Sequence, residues 1–133
     1  MSSFHLQIVT PDGLYYEGEA EKLTVRAADG NVTILPKHIN YVVPLGMGEA
    51  RVSIDGSVRK AACIGGMLAV KDGAVKLIAT TFEWQEEIDL DRAKRAMEKA
   101  KSRMESTGIS KDDFLLAQAK LRRALVRIGV AKQ

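Results

Sequence analysis

Few residues of this sequence have the types and spacing that enzyme or metal chemistry requires. The two histidines, His5 and His38, are far apart, and the sequence has no HExxH motif, no paired CxxC motif and no EF-hand spacing. The single cysteine, Cys63, lies in an apolar, strand-like run without an activating base nearby in sequence, so we expect a small core residue. The sequence therefore predicts no metal site and no catalytic residues.

Basic side chains repeated at helical spacing are the stronger chemical signal. They form two rows in the last third of the chain, Arg92, Arg95, Lys99 and Arg103 in the first and Lys120, Arg123 and Arg127 in the second. An antiparallel helix pair could bring these rows together. Such rows are most often solvated helix faces, although two or three convergent arginines suffice to hold a phosphate-bearing small molecule or an acidic protein. Nucleic acid is not expected, because this region has one aromatic residue, Phe114, and no known reader motif.

The distribution of charge and of chain-breaking residues divides the chain into two parts. The formal net charge of the 133 residues is +3, but residues 1–86 carry 8 basic and 10 acidic side chains, whereas residues 87–133 carry 12 and 7. All three prolines and nine of the eleven glycines lie in the first part. We therefore predict two domains, residues 1–86 and residues 87–133.

No hydrophobic run approaches the ~20 residues that cross a bilayer, and the first residues lack the pattern of a signal peptide. We therefore expect an intracellular protein.

The first domain has the pattern of β-strands. Apolar and polar residues alternate in several short runs, as in Phe4, Leu6 and Ile8, and four Asp-Gly pairs separate such runs. Asp-Gly supplies the positive backbone dihedrals of tight hairpin turns, and the clearest hairpin is centred on Asp55 and Gly56. Short strands without a helical period between them predict an antiparallel sandwich or barrel.

The second domain has the pattern of two helices. Asp89 is a good N-cap for the first helix, Ser106 to Gly108 interrupt the pattern, and Ser110 starts the second helix. So short a link predicts an antiparallel hairpin. The apolar stripes are thin and rich in alanine, namely Ala93, Ala96, Met97, Ala100 and Met104, then Ala117, Leu121, Ala124, Leu125 and Ile128. Because isolated helices of this length are marginal in water, the hairpin should depend on docking and could detach.

Four segments, in this order, resemble a known family. They are Leu6–Gly13, Asp29–His38 with Ile34-Leu35-Pro36, Gly65–Val70, and Ile88–Ala93 with Ile88-Asp89-Leu90-Asp91-Arg92-Ala93. Together they look like the epsilon subunits of bacterial F-type ATP synthases, and the match covers nearly the whole chain.

The resemblance implies a fold and a function. Epsilon subunits have an N-terminal antiparallel β-sandwich of about ten strands followed by a C-terminal helical hairpin. They are non-catalytic rotor components that sit on the gamma subunit and the c-ring and help to couple proton flow to ATP synthesis. Their hairpin either folds down or extends towards the alpha and beta catalytic subunits, where it inhibits ATP hydrolysis. The resemblance places the chain on the cytoplasmic side of the bacterial plasma membrane, held there only through the complex.

The resemblance also implies a nucleotide site and a rotor contact. Some family members bind ATP through a motif I/L-D-x-x-R-A, an upstream glutamate and arginines of the second helix. The positions in this chain that match are Glu83, Ile88, Asp89, Arg92, Ala93, Arg123 and Arg127. No cofactor is required, and ATP would be a regulatory ligand. The alternative is a structural role, with Asp89 as a helix cap, Arg92 paired with a nearby acidic residue and Ala93 as a packing residue.

The sequence departs from the family pattern at a few positions. Lys37 occupies a glycine position and Asn31 one where an acidic residue is common, in the loop that the family places near the c-ring together with His38. Lys99 stands where an arginine assists some ATP-binding members, and lysine lacks bidentate geometry, which lowers the expected affinity. The residues alone also allow a stand-alone β-sandwich that binds a ligand and dimerises through the helical hairpin.

Overall fold

The computed structural model of the chain describes residues 2–132. In order along the chain, the strands are β1 (Phe4–Thr10), β2 (Gly13–Ala20), β3 (Lys22–Ala27), β4 (Gly30–Ile34), β5 (Tyr41–Pro44), β6 (Met47–Ile54), β7 (Ser57–Lys71) and β8 (Ala74–Trp84). A short 3-10 turn, Gln85–Glu87, leads to α1 (Leu90–Met104) and α2 (Lys111–Ala131). The chain forms two compact units that divide between Gln85 and Glu86.

The strands form one sheet that folds over on itself to make the sandwich. The hydrogen-bonded order is β2-β1-β8-β7-β6-β3-β4, and β5 pairs with β7. Although β2 and β6 are four places apart in this order, they contact each other. The alternating apolar residues point into a shared core, where Leu6, Ile8 and Leu77 are fully buried. The predicted sandwich is therefore confirmed, with one exception to its antiparallel pairing, because β1 and β8 run parallel.

The described residues form eight strands rather than about ten, and the longest of them, β7, changes its neighbour along its length. Residues 57–64 of β7 pair with β6, whereas residues 67–70 pair with β5. The change of neighbour falls at Gly65 and Gly66, whose φ angles are 67° and 110°. A Cβ on Gly66 would overlap the carbonyl oxygen of Ile78 on β8. Only glycine therefore fits where this strand passes from one layer to the other.

Two of the four Asp-Gly pairs make the predicted hairpin turns. Asp55-Gly56 joins β6 to β7 and Asp72-Gly73 joins β7 to β8, with positive φ at both residues of each pair. This is the type I′ geometry that suits the twist of paired strands. At the pairs ending in Gly13 and Gly30 only the glycine has positive φ, so these two turns belong to other types.

The end of β8 is fixed by an aromatic cluster. Trp84 packs against Phe82 and Tyr16 with ring centroids 5.0 and 5.8 Å apart, and the Arg59 guanidinium lies 3.8 Å above the indole. Such cation and ring contacts add to the burial of the rings themselves. Cys63 lies in the same core, and burial raises the pKa of its thiol to about 12, which confirms the interpretation as a core residue.

The two helices form the predicted antiparallel hairpin. Asp89 Oδ1 accepts a hydrogen bond from the Arg92 amide at 3.0 Å, and Ser110 Oγ accepts one from the Asp113 amide at 3.1 Å, so both predicted N-caps are confirmed. Between these caps α1 and α2 pack on each other.

Small residues allow the close packing of the hairpin. Four buried alanines, which we call the alanine seam, are Ala93, Ala100, Ala117 and Ala124. Ala96 and Leu125, which the sequence pattern placed in the apolar stripes, are exposed instead. In residues 2–132 no helix is both long and apolar enough to cross a membrane.

A charged cluster lies on the outer face of β1 and β2. His5 Nε2 is 2.7 Å from Glu17 Oε2 and His5 Nδ1 is 3.2 Å from Glu19 Oε2, while Gln7 donates to Glu17 at 3.1 Å. Hydrogen bonds to these carboxylates raise the pKa of His5, and the bond from His5 lowers the pKa of Glu17. The His5 imidazolium and the Glu17 carboxylate are therefore charged together at mildly acidic pH.

The turn between β4 and β5 holds a strained lysine. The His38 amide donates to the Leu35 carbonyl at 3.2 Å, with Pro36 in the second position and Lys37 at φ 65° in the third. This is a type II turn, whose third position favours glycine. Lysine there carries a conformational cost of about 1–2 kcal/mol.

Replacing Lys37 by glycine should therefore stabilise the sandwich. Part of the gain is offset because glycine has more conformational entropy to lose on folding. We therefore expect Lys37→Gly to raise the free energy of unfolding by about 0.5–1 kcal/mol. Urea denaturation measures this change. Lys37→Ala removes the same charge but keeps a Cβ, so it should bring no such gain. Equal stability of the two variants would contradict this account of the turn.

The His5 cluster predicts a measurable pH dependence. Since the folded pKa of His5 is raised, its stabilising contribution is complete below the unfolded value of about 6.5 and is lost as pH rises through the folded value. The contribution of Glu17 is present above its unfolded pKa of about 4.3 and is lost as pH falls through the lowered folded value. An NMR titration of the His5 ring should give a pKa above 6.5 that falls in Glu17→Gln and is unchanged in Glu98→Gln. A His5 pKa unaffected by Glu17→Gln would contradict the cluster.

Candidate functional site in the helical hairpin

The hairpin contains a groove in which basic side chains from both helices meet. Its volume is 760 Å³. The basic residues that line it are Lys99 and Arg103 from α1 and Lys120, Arg123 and Arg127 from α2. The prediction that the two basic rows would come together is thus confirmed for these five residues, whereas Arg92 and Arg95 do not line the groove.

The floor and rim of this groove differ in polarity. The floor is an apolar surface, because most of its side chains are small and do not fill the groove. It consists of Ala96, Ala100, Leu116 and Ala117. Arg123 and Arg127 are half-buried, whereas Lys99, Arg103 and Lys120 are exposed. Guanidinium groups held against an apolar floor are well suited to phosphate oxygens, because water screens them less there.

One acidic side chain also lines the groove. Asp113 Oδ2 lies 3.4 Å from Arg103 Nη2, so an ion pair joins the two helices near their connecting turn. Both side chains are about half exposed, and the pair itself adds little stability. The pair matters for the arrangement of charge in the groove, because it holds one of the five basic side chains, Arg103, next to a carboxylate.

The antiparallel packing sets which residues lie at the same height along the hairpin. Since both helices rise by ~1.5 Å per residue, contact between Arg103 and Asp113 places Ala93 level with Arg123 and Asp89 level with Arg127. The start of α1 therefore lies at the height of the two groove arginines of α2. Asp89, Arg92 and Ala93 are thus at the height of Arg123 and Arg127, although none of these three motif residues lines the groove.

The motif residues themselves have clear structural roles. Asp89 is the N-cap of α1, Arg92 supplies the capped amide and an exposed side chain, and Ala93 is buried. Ile88 precedes the cap and is half-buried. The structural alternative is thus confirmed for Asp89 and Ala93, and it is compatible with a ligand at the Arg92 side chain.

Glu83 belongs to the other unit. It lies near the end of β8 and pairs with Ala62 of β7. There it lines a second cavity, of 290 Å³, together with Asp12 of the turn between β1 and β2 and Tyr15 of β2.

The residues predicted to contact the rotor lie on β4 and the turn after it. Asn31 is exposed and pairs with Arg26 of β3. Lys37 is exposed at the tip of the turn, and His38 lies 2.8 Å by its Nδ1 from the Ile39 carbonyl and packs near Tyr41.

Sequence reasoning missed two apolar residues beside this turn. Leu35 and Ile39 are 53% and 76% exposed, and they flank the turn on either side. Their signal was present in the sequence as aliphatic residues around Pro36 that break the alternation of the strands. Exposed apolar side chains grouped around a charged turn are typical of a contact surface.

Comparison with protein families assigns both units. The family described as ATP synthase, Delta/Epsilon chain, beta-sandwich domain matches residues 3–85. The family described as ATP synthase, Delta/Epsilon chain, long alpha-helix domain matches residues 86–132. The two matches together span almost all of the chain.

Relatives of similar length agree with this assignment. The ATP synthase epsilon chain of Caldicellulosiruptor bescii is 35% identical over 133 residues, covering 100% of this chain and 96% of the relative. The ATP synthase epsilon chain of Halalkalibacterium halodurans is 37% identical over 131 residues, covering 98% of both.

A solved structure shows the same fold. A chain in the cryo-EM structure of the Euglena gracilis mitochondrial ATP synthase, OSCP/F1/c-ring, has a TM-score of 0.85 at 20% identity. The similarity covers 100% of this chain and 83% of that one. The resemblance inferred from four sequence segments is confirmed, and the chain belongs to the delta/epsilon chain family of ATP synthase subunits.

Proposed function

We propose that this chain acts as the epsilon chain of an F-type ATP synthase, a non-catalytic subunit of the central stalk. The observation that carries the proposal is the match of both units, in order, to the two domains of this family. Relatives matched over nearly their whole length carry the name epsilon chain. Its partners are then the gamma subunit, the c-ring and, when the hairpin extends, the alpha and beta subunits.

The turn between β4 and β5 is the proposed contact with the c-ring. Leu35 and Ile39 offer apolar surface, and Lys37 and His38 add polar groups at the tip, with Asn31 exposed on β4. Through such contacts the subunit is attached to the membrane by the complex. The bacterial relatives support a place on the cytoplasmic side of the plasma membrane.

The hairpin is the proposed regulatory element. Four of the six buried residues of its helices are alanines, so the hairpin buries little apolar surface for its length and gains little free energy from it. An element held this weakly can exchange between a folded and an extended form, and a ligand that binds one form shifts the population. Extension would separate the two helices, carry their basic side chains towards acidic surfaces of the catalytic subunits and inhibit ATP hydrolysis.

ATP is the proposed ligand of the folded form. Arg123 and Arg127 line the groove and would bind phosphate oxygens from α2. Arg92 lies outside the groove lining but at the same height, and its exposed side chain would reach the phosphates from the start of α1. Asp89 can accept from the adenine amine or a ribose hydroxyl, while Ile88 and Ala93 shape the site. A ligand that joins both helices holds the hairpin closed.

Assembly tests the first part of the proposal. Native purification through the tagged full chain should recover the gamma subunit and the c-ring, and a chain that ends at Glu86 should recover them as well. Complexes with the shortened chain should hydrolyse ATP about fivefold faster or more, as a coupling free energy of about 1 kcal/mol or above requires. The tagged full-length chain is the control.

Two outcomes would contradict this prediction. Purification without a gamma subunit would favour the stand-alone module that dimerises through the hairpin. Equal hydrolysis by both complexes would show that the hairpin does not inhibit.

The nucleotide site is tested by neighbouring arginines of α2. Arg123 lines the groove, whereas Arg122 is exposed and does not line it. Because one charge-assisted contact contributes about 1.5–3 kcal/mol, Arg123→Ala should weaken ATP binding by at least about tenfold and Arg122→Ala should leave it nearly unchanged. Isothermal titration calorimetry on the isolated full chain measures both.

Lys99 gives a gain-of-affinity variant for the same assay. Lys99→Arg adds fork geometry at the groove and should tighten ATP binding by a few-fold, whereas Arg95→Lys, outside the groove, should not change it. If Arg123→Ala and Arg122→Ala changed the affinity for ATP equally, the result would show that ATP does not bind in the groove.

A further inference from the structure

The net charge of the hairpin groove is better suited to free nucleoside triphosphate than to its magnesium complex. Five cationic side chains and one carboxylate line it, which leaves a formal charge of +4. At neutral pH a nucleoside triphosphate carries about four negative charges when free and about two when it holds Mg²⁺. The groove therefore matches the charge of the free form and exceeds that of the magnesium complex.

The kinds of donor in the groove agree with this match. Mg²⁺ in nucleotide sites is held by the β- and γ-phosphate oxygens together with one or two carboxylates and water. Arginine forks bind those same phosphate oxygens, so the metal and the guanidinium groups compete for them. The carboxylate that lines the groove, Asp113, already contacts Arg103 at 3.4 Å.

Asp113 further sets the strength of this preference. Asp113 lowers the positive charge of the groove by one. It also holds the Arg103 guanidinium in an ion pair that joins the two helices. Both effects oppose an incoming polyanion. Removing the charge of Asp113 should release Arg103 to contact the terminal phosphate and increase the attraction for the more highly charged ligand form.

On these grounds we propose that the groove selects nucleoside triphosphate free of Mg²⁺, and that Asp113 acts as a specificity residue by limiting the affinity for this form. The inference rests on the proposed ATP site. It adds that occupancy of the hairpin depends on the concentration of the metal-free nucleotide and therefore falls when Mg²⁺ rises at constant total ATP.

The test compares two ligand forms on the full chain. Isothermal titration calorimetry with ATP in excess EDTA should give a dissociation constant about tenfold lower than the same titration in excess Mg²⁺, at equal ionic strength, since the two forms differ by about two charges in a partly desolvated groove. Equal affinity, or tighter binding in Mg²⁺, would overturn the inference and leave the ATP site standing. Absence of binding in both titrations would overturn the ATP site as well.

A matched pair of variants tests the role of Asp113. Asp112 and Asp113 both lie in the first turn of α2, so neutralising either has the same effect on the helix dipole. Asp113→Asn should tighten binding of metal-free ATP by about threefold and widen the difference between the two forms, whereas Asp112→Asn, outside the groove, should change neither. Identical behaviour of the two variants would refute the assignment of Asp113.

Discussion

The sandwich depends on one close approach of two backbones. At Gly66, strand β7 passes so near to Ile78 of β8 that a side chain has no room. The same strand has β6 beside its first half and β5 beside its second, so it belongs to both layers. Without this passage the layers would not close over the core that holds Leu68 and Leu77. The fixed end of β8, where Trp84 packs under Arg59, leads directly into the short turn before the hairpin.

The hairpin also depends on small residues, but for a different reason. Alanines at the helix contact let α1 and α2 approach, and the long basic residues beside them then border a groove instead of filling it. Larger residues at the seam would give more apolar burial and a firmer hairpin. They would also take up the space that a ligand needs, so weak packing and ligand capacity have one cause.

Sequence patterns predicted those features of the fold that depend on residues close together along the chain. The alternation in β1, the type I′ turn at Asp55-Gly56 and the caps at Asp89 and Ser110 all follow from residues within a few positions of one another. The parallel pairing of β1 with β8 joins the two ends of the sandwich, and no local signal marks it. Helical spacing from Lys120 and Arg127 separated Arg123 from its neighbour Arg122, because residues three and four apart share one face of a helix.

The even spacing of the alanine seam has a consequence for the register of the helices. Ala93 and Ala100 are seven residues apart, and so are Ala117 and Ala124. A displacement of α2 by two turns, ~10.5 Å along α1, would leave at most one alanine facing another, because each helix contributes only two. The seam therefore favours one alignment of the helices over its neighbours. The short link from Glu105 to Ser110 restricts the same displacement.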